Sequence, residues 1–373
     1  MGRPRIIHSV REYLPITQRW IWETLRLLEG AFDQWIYTDT HLAGSPSLDG
    51  VPVMVDRRGR WRRRWVAVVG VDVWGRLRLP HRAVLFSHFG PRGYHDLALR
   101  IRPQVVRFYG FDIAALPMRQ PQWKPLYRRL FQRVDRFVVE GPAMKQALAK
   151  AGAPADRIDV LPIGIEPPAH PRIRTWDGTE PFRILLPHAI REKKGVLYAV
   201  RGIGQWYRRR RIPLEVHLVG DIPSKFDRPY WERVRAEIRR QGLGDVLHHH
   251  GFVSFDRLLS LATEAHAAVH ASVTASDGDT EGGYPHVIPT LMAAGLPFIT
   301  TRHADIPFVV GDAAMLVDER DADAIAAALD RLAEPAALTA WSRRAAERGA
   351  QWTWPRWKDD YIRFFEKAAA GRF

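Results

Sequence analysis

The chain has 373 residues, 46% of them hydrophobic, which is enough for two domains that each bury a core. It contains no cysteine, which excludes disulfides and thiolate metal sites, and no apolar run approaches the ~18 to 20 residues of a bilayer span, so a cytoplasmic chain in a reducing compartment is expected. With 56 Lys and Arg against 41 Asp and Glu the formal net charge is +15, so the expected partners are acidic, whether nucleic acid, anionic lipid or phosphorylated substrates.

The opening MGRPRIIHSV is read as a strand, RIIHSV, rather than a signal peptide. A surface loop packed by Tyr13 and Leu14 follows, then an amphipathic helix from near Thr17. From Asp33 to Val73 short strands are predicted between Gly, Pro and Asp residues. Within them RRGRWRRRW, Arg57 to Trp65, reads as a solvated hairpin, although arginines interleaved with tryptophans also suit a lipid interface or a nucleic-acid backbone. AVLFSHFG, Ala83 to Gly90, is a buried strand opening onto a loop at His88 and Phe89, and QVVRFY likewise runs into GFD. If these strands are parallel neighbours, His88 and the group Tyr109, Gly110 and Asp112 lie side by side at one sheet edge. DRFVVEGPAMKQALAKAGAPADRIDVLPIGIEPP then reads strand, helix, strand, and the Pro-rich stretch 167–181 reads as a linker between domains 1–166 and 182–354.

The second domain opens with the strand FRILLPHAI and the loop REKKG, which places Lys193, Lys194 and Gly195 at a helix mouth. A lysine there can meet a diphosphate: at ~4 Å and an effective dielectric of about 20, Coulomb's law gives roughly 4 kcal/mol before desolvation. The alternative is an exposed charge run. Strands LEVHLVGD, VLHHHGFV and AHAAVHAS follow, with helices at Pro229 to Gly242 and Asp256 to Glu264. His248, His249 and His250 alternate faces in a strand and cannot all grip one metal. In the stretch Ser272 to Val310 an acidic loop runs through Gly282 and Gly283 into an apolar helix, with Pro285 at its first position and Gly295 and Pro297 at its end. A loop that leaves one strand and enters a helix in this way lies at the carboxyl edge of a parallel sheet, where unpaired N–H groups favour an anion. Asp277, Asp279 and Glu281 alternate as oxygen ligands of Ca²⁺ or Mg²⁺ would, but the rest of a calcium loop is absent, and no metal is expected. Three helical stretches close the chain. Alternating strands and helices in both halves predict an α/β protein of two doubly wound domains.

These residues carry a resemblance. DGDTEGGYP, MAAGLP and TTRHADIPFVV resemble the donor-site signature of glycosyltransferase family 4, the retaining GT-B enzymes. The likeness is greatest to the branch that builds exopolysaccharide, capsule, colanic acid and lipopolysaccharide. SHFGPRG is similar to the family's HxHFG, RPQVVRFYGFDI to its strand followed by HGxD, and REKKG to its GRxxxKKG. The resemblance implies two Rossmann-like domains facing across a cleft. The acceptor side is 1–166, whose first loop borders the cleft and on which helix 355–373 packs back, and 182–354 binds the donor. It further implies a metal-independent hexosyltransferase without cofactor, whose nucleotide-diphosphate sugar is a co-substrate and whose acceptor is a saccharide or lipid-linked saccharide at an anionic inner-membrane surface, with no nucleic-acid partner. Glu281 matches the first glutamate of E-x7-E, which faces the donor sugar and stabilises positive charge at the anomeric carbon, and His88, Tyr109 and Asp112 fall in the family's catalytic region. Donor binding falls on His188, Arg191, Lys193, Lys194, Gly282, Gly283, Tyr284 and Thr290. The chain departs from the pattern at Tyr109, where the family has histidine, and at His188 and Ala189, where it has Gly-Arg and where Arg191 is the substitute cation. It departs again at Thr290 and Phe308, each in place of glutamate. A degenerate member that binds a partner or a sugar nucleotide without turnover is the alternative.

Overall fold

The computed structural model describes residues 2–13, 19–42, 48–56, 60–166, 168 and 170–373. The chain divides into two compact units, one of residues 1–164 with 354–373 and one of residues 165–353.

The first unit is built on seven strands, β1 (Arg5–Tyr13), β2 (Asp33–His41), β3 (Val53–Val55), β4 (Ala83–His88), β5 (Gln104–Arg107), β6 (Arg136–Val139) and β7 (Ile158–Val160). All pairings are parallel and the order is β3-β2-β1-β4-β5-β6-β7, so the chain reverses its direction of winding between β1 and β4. Every residue of β4 is buried, as a strand covered on both faces requires. Its side chains alternate: Val84 and Phe86 join one core cluster and Ala83 and Leu85 another. The closing helix Trp354–Ala369 buries Trp354, Tyr361, Phe364, Phe365 and Ala368 at helical spacing, in the cluster that holds Val84 and Phe86.

Two readings of this half change. β1 continues through Arg11, Glu12 and Tyr13, and Tyr13 is a buried strand residue whose ring lies 5.7 Å from that of His41. Leu14 and the expected helix start at Thr17 lie outside the described residues, and the helix is described from Arg19 to Leu27. Of the stretch Arg57 to Trp65, read as a hairpin, residues 57–59 lie outside the described residues, and the rest belongs to a helix, Arg60–Val69. A hairpin needs a turn followed by period-2 alternation, and WRRRWVAVV offers neither. Arg62 fixes the helix by bonding Asp56 through Nη2 at 2.7 Å and Asp72 through Nε at 2.8 Å. Asp72 also caps the next helix, Val73–Leu77, by accepting from the Gly75 N–H.

The second unit has six strands, β8 (Phe182–Pro187), β9 (Leu214–Val219), β10 (Leu247–His249), β11 (Ala267–His270), β12 (Phe298–Thr301) and β13 (Met315–Val317). They are again all parallel, in the order β10-β9-β8-β11-β12-β13, with the reversal between β8 and β11. Ile184, Leu186, Val216 and Leu218 of the sheet pack with Val200, Ile203 and Trp206 of the helix Val196–Arg210 and with Ile325 and Leu329 of Ala322–Leu332. The stretch 167–181, expected as a linker, is in its described part tied into this unit. Arg172 N–H bonds the Ala294 carbonyl at 3.1 Å, and the buried Arg174 donates its guanidinium to the carbonyls of Ala262 and Ala265 and its own N–H to the Ser342 hydroxyl oxygen. Backbone and guanidinium donors, rather than periodic apolar residues, hold it. The helix after the glycine pair begins at Val287, not Pro285, and ends at Ala293. Gly283 O accepts from Asp305 N–H at 3.0 Å and Tyr284 packs on Trp352 at 5.3 Å, which keeps residues 283–285 outside the helix.

Candidate functional site

Each sheet gathers polar side chains at its reversal point, where ligands of doubly wound folds sit because neighbouring connections leave to opposite faces. In the second unit the loops after β8 and β11 meet there. Gly195, at φ +66°, lies so close to β11 that a Cβ on it would stand 1.6 Å from the Ala271 carbonyl oxygen. Val273 N–H bonds the Lys193 carbonyl at 2.9 Å, so the two loops run side by side.

Lys194 Nζ then reaches Glu281 Oε2 at 2.9 Å, and Ser272 Oγ donates to Glu281 Oε1 at 3.0 Å. Burial alone would raise the Glu281 pKa, but Lys194 and Lys193 and the bonds from Lys194 and Ser272 outweigh it, and the carboxyl is held below its ordinary value. His270 Nδ1 lies 3.1 Å from Ser272 Oγ, and the rings of His188 and His270 meet edge to face at 4.8 Å. Burial, with Lys194 adding to it, keeps both histidines neutral, well below the usual imidazole range. Neither ring nitrogen of His188 has a hydrogen-bond partner among the described residues.

Arg191 and Lys193 converge on a different carboxylate. Arg191 Nη2 lies 3.0 Å from Asp279 Oδ2, and Lys193 Nζ lies 3.2 Å from Asp279 Oδ1 and 3.0 Å from the Thr280 carbonyl. Asp279 therefore carries two cationic side chains, and among the described residues no group of three or more His, Asp or Glu is placed to hold a metal ion. His303 supports the loop from below, with Nδ1 against Glu319 Oε1 at 2.6 Å and Nε2 against Thr280 Oγ1 at 2.7 Å. Since Nε2 also receives the Glu281 N–H at 3.3 Å, it is the acceptor and the proton sits on Nδ1. Gly282, at φ +76°, and Gly283 follow directly. Thr290 lies within the helix Val287–Ala293 and donates its hydroxyl to the His286 carbonyl at 2.8 Å. Phe308 stacks edge-on at 5.4 Å against Trp352.

In the first unit β4 and β5 are parallel neighbours with His88 opposite Arg107, so His88 and Tyr109 do end at one sheet edge. His88 Nδ1 lies 2.8 Å from Tyr109 Oη, and its Nε2 is 3.5 Å from Nδ1 of His8 at the same edge. His8 is fixed in turn by Gln34 Oε1 at 3.0 Å, and burial lowers its pKa to about 4. Burial also holds His88 well below the ordinary value, with His8 and the buried Arg107 adding to the effect. Asp112 accepts from the N–H groups of Gly90 at 2.6 Å and Tyr109 at 2.7 Å, which joins the turns after β4 and β5. Burial pushes its carboxyl up to about 7 while those donors pull it down.

His8, His270, His303 and Glu319, and Ser272 beyond its place at the start of the acidic stretch, are not among the site residues expected from the sequence. His270 and Ser272 stand two apart at the end of AAVHAS, a period-2 pair that points to one face of a strand. Nothing local marks His303 and Glu319, which meet because β12 and β13 are paired.

Residues 182–335 match the family model of glycosyl transferases group 1. Over 263 residues the chain is 29% identical to the putative colanic acid biosynthesis glycosyltransferase WcaL of Escherichia coli strain K12, covering 68% of this chain and 62% of that protein. It is 28% identical over 261 residues to the amylovoran biosynthesis glycosyltransferase AmsK of Erwinia amylovora, covering 67% and 61%. The match thus spans less than two thirds of either relative's own length. Among solved structures, sucrose-phosphate synthase from Thermosynechococcus elongatus superposes with a TM-score of 0.76 at 16% identity, over 99% of this chain and 100% of that one. Anabaena HepE in complex with UDP gives 0.76 at 14% identity, over 98% and 100%. The fold is that of the GT-B glycosyltransferases.

Proposed function

We propose, from a chain whose residues 182–335 match the family model of glycosyl transferases group 1 and whose fold is GT-B, that the protein transfers a hexose from a nucleotide-diphosphate sugar to a saccharide or lipid-linked acceptor. The setting is the assembly of a cell-surface polysaccharide at the inner face of the membrane. The observation that carries this reading is Glu281, a buried carboxylate kept ionised between Lys194 and Ser272 at the reversal point of the second sheet, one residue before two glycines. A negative group so placed favours a sugar carbon that becomes positive as its leaving group departs. The bond between the anomeric carbon and the diphosphate breaks with its electron pair going to the diphosphate, and the acceptor oxygen bonds the same face of that carbon, so configuration is retained. The acceptor proton passes to the leaving diphosphate. Lys194 and the N–H groups after Gly282 receive the leaving charge, which requires no metal and no cofactor. His88 and Tyr109, with Asp112 fixing their turns, serve the acceptor side.

HepE structures with UDP and with UDP-glucose support a sugar nucleotide as donor, and the likeness to glycosyltransferases of colanic acid and amylovoran biosynthesis supports the polysaccharide setting. A second reading, binding without turnover, is favoured by Thr290, whose hydroxyl is already bonded to its own helix, and by Arg191, which is already paired with Asp279. Saturation-transfer NMR against UDP-, GDP-, ADP- and TDP-sugars, followed by assay of sugar release and transfer, separates the two. One nucleotide family should bind, Lys194→Ala should weaken it, and Glu281→Ala should lower kcat by about 10² to 10³. Binding with no release or transfer under any acceptor supports the second reading, and no binding by folded protein defeats both.

A further inference from the structure

The helices Arg60–Val69 and Val73–Leu77 carry a surface that the sugar-transfer reading does not use. Trp61 and Val68 are each 87% exposed and Leu77 is 72% exposed, with Trp65, Val69, Val73 and Trp74 about half exposed beside them. Trp65 and Trp74 meet edge to face at 6.1 Å, and Trp61, Arg62, Trp65, Trp74, Leu77 and Arg78 line an open trough of about 750 Å³. Exposed apolar residues scattered singly are ordinary, but a contiguous aromatic and aliphatic face marks an interaction site.

We infer that this face docks the protein on an anionic lipid bilayer, with Trp61, Trp65, Trp74 and the neighbouring Val and Leu side chains entering the headgroup and upper acyl region. Charge selects the occupant. Residues 57–78 contain eight arginines and one acidic residue, Asp72, which is buried beneath the helix and bonded to Arg62. A second copy of the chain would set two such arginine-rich segments against each other. Nucleic acid would satisfy the arginines and stack on the tryptophans but would gain nothing from Val68, Val69 and Leu77. A bilayer of anionic lipid satisfies the charge, the indole rings and the aliphatic groups together. The Arg62 bonds to Asp56 and Asp72 give the face a fixed base, so docking does not have to order it first. Among the described residues no helix is long and apolar enough to cross a membrane, so this contact lies on the surface. The inference rests on the proposed transferase only for the acceptor's location.

Vesicle flotation of the full chain tests it, using phosphatidylcholine alone and phosphatidylcholine with phosphatidylglycerol, at low and high salt, with a random-sequence DNA duplex in parallel. Wild type should float with the phosphatidylglycerol vesicles at low salt. Trp61→Ser/Val68→Ser, which alters two solvent-facing side chains, should partition about tenfold less while its circular dichroism and nucleotide binding are unchanged. Leu77→Ser provides a second, independent variant. Failure of wild type to float, equal flotation of both variants, or a Trp61-dependent binding to DNA or to a second copy without flotation would overturn the inference. None of these outcomes depends on donor binding, so the transferase reading stands or falls separately.

Discussion

Glu281 is negative because its partners outweigh its burial. Removing Lys194 deletes both the nearest positive charge and a 2.9 Å hydrogen bond, leaving burial as the main influence, and burial raises a carboxyl pKa. A depressed carboxyl works at every pH above its folded pKa and loses its charge only as pH falls through that value. In wild type the acid limb of kcat/KM therefore lies below the ordinary glutamate range. In Lys194→Ala it should move up, because the nearest positive charge and its hydrogen bond are lost while burial stays, and a pH–rate profile at saturating acceptor measures this. Lys194 and Glu281 were legible because REKKG and TEGGYP each mark a loop entering a helix. That Lys194 would bond Glu281 while Lys193, its neighbour, bonds Asp279 was not, since adjacent residues of the turn Glu192–Lys194 point differently only once its backbone is set.

At the scale of elements the site depends on how closely two loops approach. Gly195 closes the turn Glu192–Lys194 and opens the helix Val196–Arg210, with its Cα pressed on the Ala271 carbonyl. Gly195→Ala has both a left-handed backbone to strain and no room for the new methyl, so the β8 loop must move away from β11. We expect a loss of roughly 2 to 4 kcal/mol in urea unfolding of the second unit, together with loss of nucleotide binding. The KKG motif announced a glycine there, and the structure supplies the reason. The Arg60–Val69 segment teaches the opposite lesson. Its arginines and tryptophans carry no decisive period, and the helix is fixed by Asp56 and Asp72, two carboxylates at either side of it in sequence.

At the scale of the whole chain, the last helix completes the first unit's core rather than extending the second. Phe365 is fully buried, 5.0 Å from Phe86 and 6.1 Å from Phe32 by ring centroids, and Tyr361 receives the buried Arg107 guanidinium at 2.7 Å. Phe365→Ala should cost the first unit about 3 to 5 kcal/mol. The matching observation is a urea transition of that unit shifted to lower denaturant, with the second unit's transition in place. The sequence alone determined the alternation of strands and helices, the two-domain architecture and the loops that bear Lys194, Glu281, His88 and Tyr109. Those features are local: apolar runs, glycines, prolines and caps act over a few residues. Only the tertiary structure decided which charges pair, that His8 stands at the edge of the first sheet and His270 and His303 at the edge of the second, and that an arginine-rich stretch becomes a helix with a tryptophan face. Those outcomes depend on strand order and on desolvation, which bring together groups far apart in the chain and set the protonation each can keep.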